Sequence, residues 1–264
     1  MADERKTALV TGASSGIGAE LARVHAEHGG DLIVVARRRE KLEALKAELE
    51  AAHGVTVHVL PKDLAQPQAP QEIYDEVRSR GVPIDYLVNN AGFGLRGFFH
   101  AQDWATNEAM IKLNILALAA LTRLFVPDMV ARHRGRILNL GSMAGFMPGP
   151  LNAVYYASKA FVISFSEAIA NELRHTGVTV TVLCPGPTQS EFTRIAQMSD
   201  VNLTRTLASA RRVAEAGYEA MLRGKRVIVP GLANKITIHA LLRLSPRRLS
   251  TRISRILMEK RERK

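Results

Sequence analysis

Short apolar runs alternate with helical patterns along most of this chain, and that alternation restricts the fold more than any other feature. Thr7–Val10, Asp31–Ala36 and Val55–Leu60 read as strands, as do 84–88, 136–140 and 178–183. Between them, helical spacing covers the stretch after Gly18 to about His28, then Arg38–His53, about 68–80, about 104–133 and 153–175. Strands separated by helices cannot be joined by hairpins. They predict βαβ units and an α/β, doubly wound parallel sheet with helices on both faces. A hydrophobic content of 47% in 264 residues supports a sizeable core. No linker or low-complexity segment divides the chain, so residues 1–264 are read as one domain, with 232–264 as a basic helical tail.

The first strand runs into Thr11-Gly12-Ala13-Ser14-Ser15-Gly16-Ile17-Gly18. Glycines between a strand and a helix let backbone approach a pyrophosphate, and the helix start offers free N–H groups and partial positive charge. Glycines alone describe an ordinary turn equally well.

A second stretch carries chemistry. Ser142 follows the strand 136–140, and Tyr155 and Lys159 lie four apart on the next helix, on one face of it. A free phenol has a pKa near ~10, and a fixed cation nearby lowers it. A hydroxyl at a strand end and a Tyr/Lys pair can converge on one oxygen, a site for proton transfer to an alcohol or carbonyl. The Tyr-x-x-x-Lys spacing by itself also fits a solvated helix face.

The glycine spacing, Asn89-Asn90-Ala91-Gly92 after the fourth strand, Ser142, Tyr155, Lys159 and Pro185-Gly186 after the sixth strand together resemble the short-chain dehydrogenase/reductase family over residues 6 to about 230. The resemblance implies a Rossmann-type sheet of about seven strands, the last at Arg226–Val229, with ligands at the carboxyl ends of the strands. It implies an oxidoreductase in which Tyr155 is the general acid or base and Ser142 binds the substrate oxygen. Lys159 would hold the nicotinamide ribose and tune the tyrosine, and Asn114 would help hold a water on a proton path to Lys159. Tyr156 is not the candidate, because only Tyr155 stands four residues before Lys159. Cofactor contacts would come from Gly12, Ser14, Ser15, Gly16, Ile17 and Gly18, from Asp63 and Leu64 near the adenine, and from Asn90, Ala91 and Gly92. Pro185, Gly186, Thr188 and Ser190 complete the set, Ser190 standing where the family usually has threonine. Gly141 stands where many members have serine. No metal is implied.

An acidic residue at the end of the second strand would accept from a ribose 2′-OH and repel a 2′-phosphate. Here Ala36 is followed by Arg37-Arg38-Arg39. Cations are unfavourable at a helix start, so three of them there point to a counter-anion. NADP(H) is the expected cofactor, with Arg37 as the main clamp, Arg38 stacking near the adenine, and Ser14 or Ser15 assisting.

Phe93, Leu95, Phe98, Phe99, Met143, Phe146, Met147, Leu151, Phe192, Ile195 and Met198 suggest an apolar cleft for a small hydrophobic ketone, aldehyde or secondary alcohol. Many of them would serve a core as well. The family resemblance suggests a homodimer or homotetramer through the helices 104–133 and 153–175. The single Cys184 excludes an internal disulfide and fits a reducing, cytoplasmic setting. The short polar start leaves no room for a signal peptide, and no uncharged apolar run of ~18 residues predicts a membrane span.

Net charge is +11, and residues 235–264 carry +8 of it. Leu232, Ile236, His239 and Ala240, then Leu249, Ile253, Ile256 and Leu257, follow helical spacing, with Arg247, Arg248, Arg252 and Arg255 beside the second stripe. Such a tail fits a peripheral membrane contact through 245–264 or packing on a partner subunit or on its own loop. No nucleic-acid signature accompanies the charge. A non-catalytic dinucleotide-binding or membrane-docking scaffold on the same fold is the alternative to an enzyme, and loss of Tyr155 or Lys159 would have marked it.

Overall fold

The computed structural model describes residues 5–189, 191–192, 196, 207–238 and 246–259. Its centre is a parallel sheet of seven strands: β1 (Thr7–Thr11), β2 (Asp31–Ala36), β3 (Val57–Pro61), β4 (Tyr86–Asn89), β5 (Gly135–Leu140), β6 (Val178–Leu183) and β9 (Val227–Ile228). The spatial order is β3-β2-β1-β4-β5-β6-β9. Thr188–Gln189 (β7) and Ala208–Ser209 (β8) form a separate two-stranded parallel pair.

Side chains alternate across the sheet with the period of two that a strand imposes. Ala8, Val10, Leu32 and Val34 pack into one cluster, while Leu9, Ile33 and Val35 enter the other. The first cluster is covered by α1 (Gly16–Glu27), α2 (Arg39–His53) and α7 (Ala210–Leu222) through residues such as Leu21, Leu42, Leu49 and Met221. The second is covered by α3 (Ala69–Ser79), α5 (Leu118–Ala131) and α6 (Ala153–Glu172), through Ile73, Leu121, Phe125, Met129 and Ala170. Each such fully buried Leu, Ile or Phe contributes about 1.5–3 kcal/mol of transfer free energy. The two-faced fold is therefore legible as two apolar layers sharing one sheet.

The predicted helix 104–133 is one continuous helix with a change of winding. α4 (Trp104–Ile111) passes through a π-helical turn, Lys112–Ala117, into α5. By length and composition alone Trp104–Ala131 could cross a membrane, against the expectation of no span. Leu118, Leu121, Phe125 and Met129 are nevertheless buried in the fold, as a core helix requires.

Strand order reverses between β1, which is followed in sequence by its neighbour β2, and β4 on its other side. The connections leave these two strands in opposite directions and open a crevice beyond their carboxyl ends. The chain closes with α8 (Leu232–Ile236) and α9 (Arg247–Met258); His239 and Ala240 of the first predicted stripe lie outside the described residues.

Candidate active site

Tyr155 and Lys159 stand one turn apart on α6, and both are buried. Lys159 Nζ donates to the carbonyl oxygen of Leu140, the last residue of β5, at 2.6 Å. It lies 5.8 Å from the centre of the Tyr155 ring. Ser142, just past β5, faces the Tyr155 phenol, and its Oγ accepts from the Ala144 N–H at 3.1 Å. The three predicted groups therefore meet at the carboxyl end of the sheet.

Their electrostatics differ from the expectation of a tyrosine lowered by its lysine. Burial pushes the Tyr155 pKa above its ordinary value, and the facing Ser142 hydroxyl offsets this only in part. Burial also pulls Lys159 down, to about 8. The ammonium gives its short hydrogen bond to Leu140 rather than to the phenol. The phenol thus keeps its proton at neutral pH, which suits a proton donor. Behind it, Cys184 is buried and its thiol is pushed up to about 12. A Cβ at Gly141 would lie 2.9 Å from Cys184 Sγ and from Val182 Cγ2, so the sulfur fills the space a larger residue 141 would need.

Asn114 sits in the π-helical turn, buried behind the cavity wall. Its Nδ2 donates to Phe93 O at 2.9 Å and Ser158 Oγ at 3.0 Å, and its Oδ1 accepts from Phe93 N at 3.1 Å. Ser158 Oγ in turn donates to Tyr155 O at 2.7 Å. The side chain fixes the loop after β4 against α6, a link with no signature in the local sequence.

The glycine-rich turn is held by Thr11 and Asn90. Thr11 Oγ1 accepts from the N–H groups of Asn90 and Ala91 at 2.9 and 3.0 Å and donates to Val88 O at 3.2 Å. Asn90 Nδ2 donates to Thr11 O at 2.8 Å, so its amide serves the turn. Gly12 has φ +67°, and a Cβ there would lie 2.7 Å from Asn90 Nδ2. Gly18 packs behind the turn, away from the cavity, where a Cβ would come 2.4 Å from Gly12 O.

Cations gather beside this turn, and Arg38 rather than Arg37 leads them. Arg38 donates to Ser14 Oγ at 3.0 Å, Ser15 Oγ at 3.1 Å and Glu191 Oε2 at 2.7 Å. Lys41 donates to Glu191 Oε1 at 2.9 Å. Arg37 is exposed on the rim of the same cavity. The Glu191 carboxylate is a stand-in anion: two cations and the Ser15 hydroxyl converge on it as they would on a phosphate.

One cavity of about 800 Å³ joins these parts. Gly12, Ser14, Ser15, Gly16, Ile17, Arg37 and Arg38 line one end, with Asp63, Leu64, Asn90, Ala91, Gly92, Pro185, Gly186 and Thr188 along it. Asp63 Oδ1 accepts from the Ala65 N–H at 3.1 Å. Ser190, Ile195 and Met198 lie outside the described residues. Ser142, Tyr155 and Lys159 line the other end, beside Phe93, Met143, Met147 and Phe192. Tyr156 and Leu257 line it too, neither foreseen as a wall. Leu95 and Leu151 pack behind, Phe146 joins a different core cluster, and Phe98 and Phe99 are exposed.

The family model for short chain dehydrogenase matches residues 6–201. The chain belongs to the short-chain dehydrogenase family. This short-chain dehydrogenase is 36% identical to the ketoacyl reductase HetN of Nostoc sp. over 181 residues, 69% of the chain but only 63% of the relative, less than two thirds of its length. It is 35% identical to the very-long-chain 3-oxoacyl-CoA reductase of Anas platyrhynchos, covering 82% of the chain and 70% of the relative. Among solved structures it is similar to a short-chain dehydrogenase from Sphingobium yanoikuyae in complex with NADPH, at 34% identity and a TM-score of 0.82, with 89% and 92% of the two chains covered. It is an oxidoreductase of a family that pairs a nicotinamide dinucleotide with carbonyl or alcohol substrates.

Proposed function

We propose that this short-chain dehydrogenase is an NADP(H)-dependent reductase of small hydrophobic ketones or aldehydes. The observation that carries the reading is a buried phenol, Tyr155, facing the Ser142 hydroxyl and lining the cavity with it beside Phe93, Met143, Met147 and Phe192. The dinucleotide, when bound, supplies the hydride. Tyr155 donates its phenolic proton to the carbonyl oxygen, and Ser142 holds that oxygen in place. Lys159 would hold the nicotinamide ribose, with its charge close to the tyrosine. Asn114 positions Phe93 and, through Ser158, the turn of α6 that carries Tyr155.

The choice of NADP(H) rests on the cradle of Arg38, Ser14, Ser15 and Lys41, which already holds a carboxylate. Arg37 on the rim is suited to stack beside the adenine, so the two arginines exchange the roles their sequence positions implied. Asp63, Leu64 and the 90–92 turn would line the adenosine. The reading includes a cytoplasmic homo-oligomer assembled through Trp104–Ala131 and α6. Exposed Leu116 and Phe161, the latter stacked on Phe165 at 5.6 Å, support that face.

Turnover of a panel of hydrophobic ketones and aldehydes with NADPH tests the reading. Tyr155→Phe should cost ~10²–10⁴-fold in rate and leave NADPH binding nearly intact. Wild-type turnover by that variant would overturn the assignment.

A further inference from the structure

Helix α9 is seated with its serines inward and its apolar stripe outward. Ser250, Ser254 and Met258 are its buried residues. Leu249, Ile253 and Ile256 are 48, 38 and 53% exposed. At about 100° per residue these three fall within one narrow stripe, and Arg248 and Arg252 run along its edge, each one turn from the next and in line with Ile256. Arg247, Arg248 and Arg252 form no ion pair among the described residues, while Arg255 pairs with Glu259 at 3.1 Å and stacks over Phe98 at 5.2 Å. Phe98 is itself exposed, as are Phe99 and Trp104. The helix is fixed to that segment, since Arg96 Nε donates to Met258 O at 2.8 Å.

This patch adjoins the mouth of the cavity. Leu257 and Ala105 line the cavity, and their chain neighbours Ile256 and Trp104 face solvent. We propose that the patch docks on an anionic lipid surface, α9 lying in the headgroup layer with Leu249, Ile253 and Ile256 inserted and its arginines on the lipid charge. Charge decides the occupant. A second copy meeting α9 symmetrically would bring the same arginines against these, because a two-fold contact sets one patch on itself. A negatively charged bilayer meets both the apolar stripe and its basic edge. The docking would place the cavity mouth where a hydrophobic substrate partitions; that consequence rests on the proposed substrate class, and the docking itself does not.

Sedimentation of the full chain with vesicles tests this without any turnover. It should pellet with phosphatidylcholine vesicles containing phosphatidylglycerol and remain in solution with phosphatidylcholine alone. Binding should fall steeply between 0.1 and 1 M salt, as the screening length shrinks from ~10 to ~3 Å. Arg248→Glu with Arg252→Glu should weaken it more than ~30-fold, and Ile253→Ser with Ile256→Ser should abolish it. All four positions lie outside the cavity lining, so turnover of a soluble carbonyl should be unchanged. Failure to pellet with anionic vesicles, or equal binding to neutral ones, would overturn the proposal. So would an Ile253→Ser, Ile256→Ser variant that falls from dimer to monomer in sedimentation velocity, since the patch would then belong to a second copy.

Discussion

The Arg38 guanidinium and the Glu191 carboxylate meet at 2.7 Å across 153 positions of sequence. Arg38, Lys41 and Ser15 hold the Glu191 carboxyl at about 2, well below the usual carboxylate range. The pair is partly exposed, so it contributes modestly to stability. Its consequence is for binding. A 2′-phosphate at this cradle needs the donors that the carboxylate holds, whereas a 2′-OH does not. Glu191→Gln should tighten NADPH binding about two- to fivefold, the scale of a partly exposed ion pair, and leave NADH binding unchanged. Fluorescence titration of both cofactors checks this, and equal shifts for the two would refute it.

The two arginines should separate in the same titration. Arg38→Ala removes the group bonded to Ser14 and Ser15. Loss of a charge-assisted bond of that kind should weaken NADPH about ten- to a hundredfold, with a much smaller effect on NADH. Arg37→Ala, at the exposed rim, should cost less for NADPH and about equally for the two cofactors. If Arg37 proved the larger determinant, the order inferred from the geometry would be reversed.

Asn114→Ala would leave the half-buried Phe93 N–H and C=O and the buried Ser158 hydroxyl short of a partner. Each orphaned group costs about 1–3 kcal/mol, so the melting temperature should drop. Phe93 lines the substrate end of the cavity, so kcat should fall further than NADPH affinity. A variant with a lowered melting temperature and unchanged kcat would limit Asn114 to stability.

Local physics made much of this readable from sequence. Alternating Ala8-Leu9-Val10 and Leu32-Ile33-Val34-Val35 fill two layers because strand periodicity admits no other division. Glycine is required at 12 and 18 because the strand-to-helix turn packs against Asn90 and leaves no room for Cβ, and at 16 because φ is +59°. The remainder depends on contacts that periodicity does not encode. Which arginine turns to the serines follows from Arg38 being the extended residue that precedes α2. Glu191 is too distant in sequence to be paired with it by spacing. The π-helical turn at Asn114 has no local signature. For α9, helical spacing located the apolar stripe but not its direction; small serines at 250 and 254 allow close approach to the body and leave the stripe outside.

The last prediction concerns acid stability and a group far from the chemistry. His25 is buried in α1, with Nε2 donating to Lys6 O and Asp31 O at 3.0 and 3.1 Å and Nδ1 accepting from the Tyr218 hydroxyl at 2.8 Å. Those partners assign the proton to Nε2, and a second proton on Nδ1 would force the Tyr218 hydroxyl to turn from donor to acceptor. Burial pulls the imidazole from 6.5 down to about 4. Between these values the unfolded chain binds a proton that the folded chain refuses, so stability rises with pH across the window. The contribution is intact above about 6.5 and is lost as pH falls toward 4. At about 1.36 kcal/mol per unit the loss amounts to about 3 kcal/mol. Exposed carboxylates such as Glu27 and Glu48, held low by Arg211 and Arg23, act only from about 4.5 downward, at the foot of that window. His58 is also lowered by burial and adds in the same direction, so the comparison must be with a variant. His25→Gln should be less stable at neutral pH, having lost the ring's fit to three partners, yet show a flatter dependence between pH 6.5 and 4. Urea unfolding of both proteins across that range measures the difference, and parallel curves would show that His25 does not carry the titration.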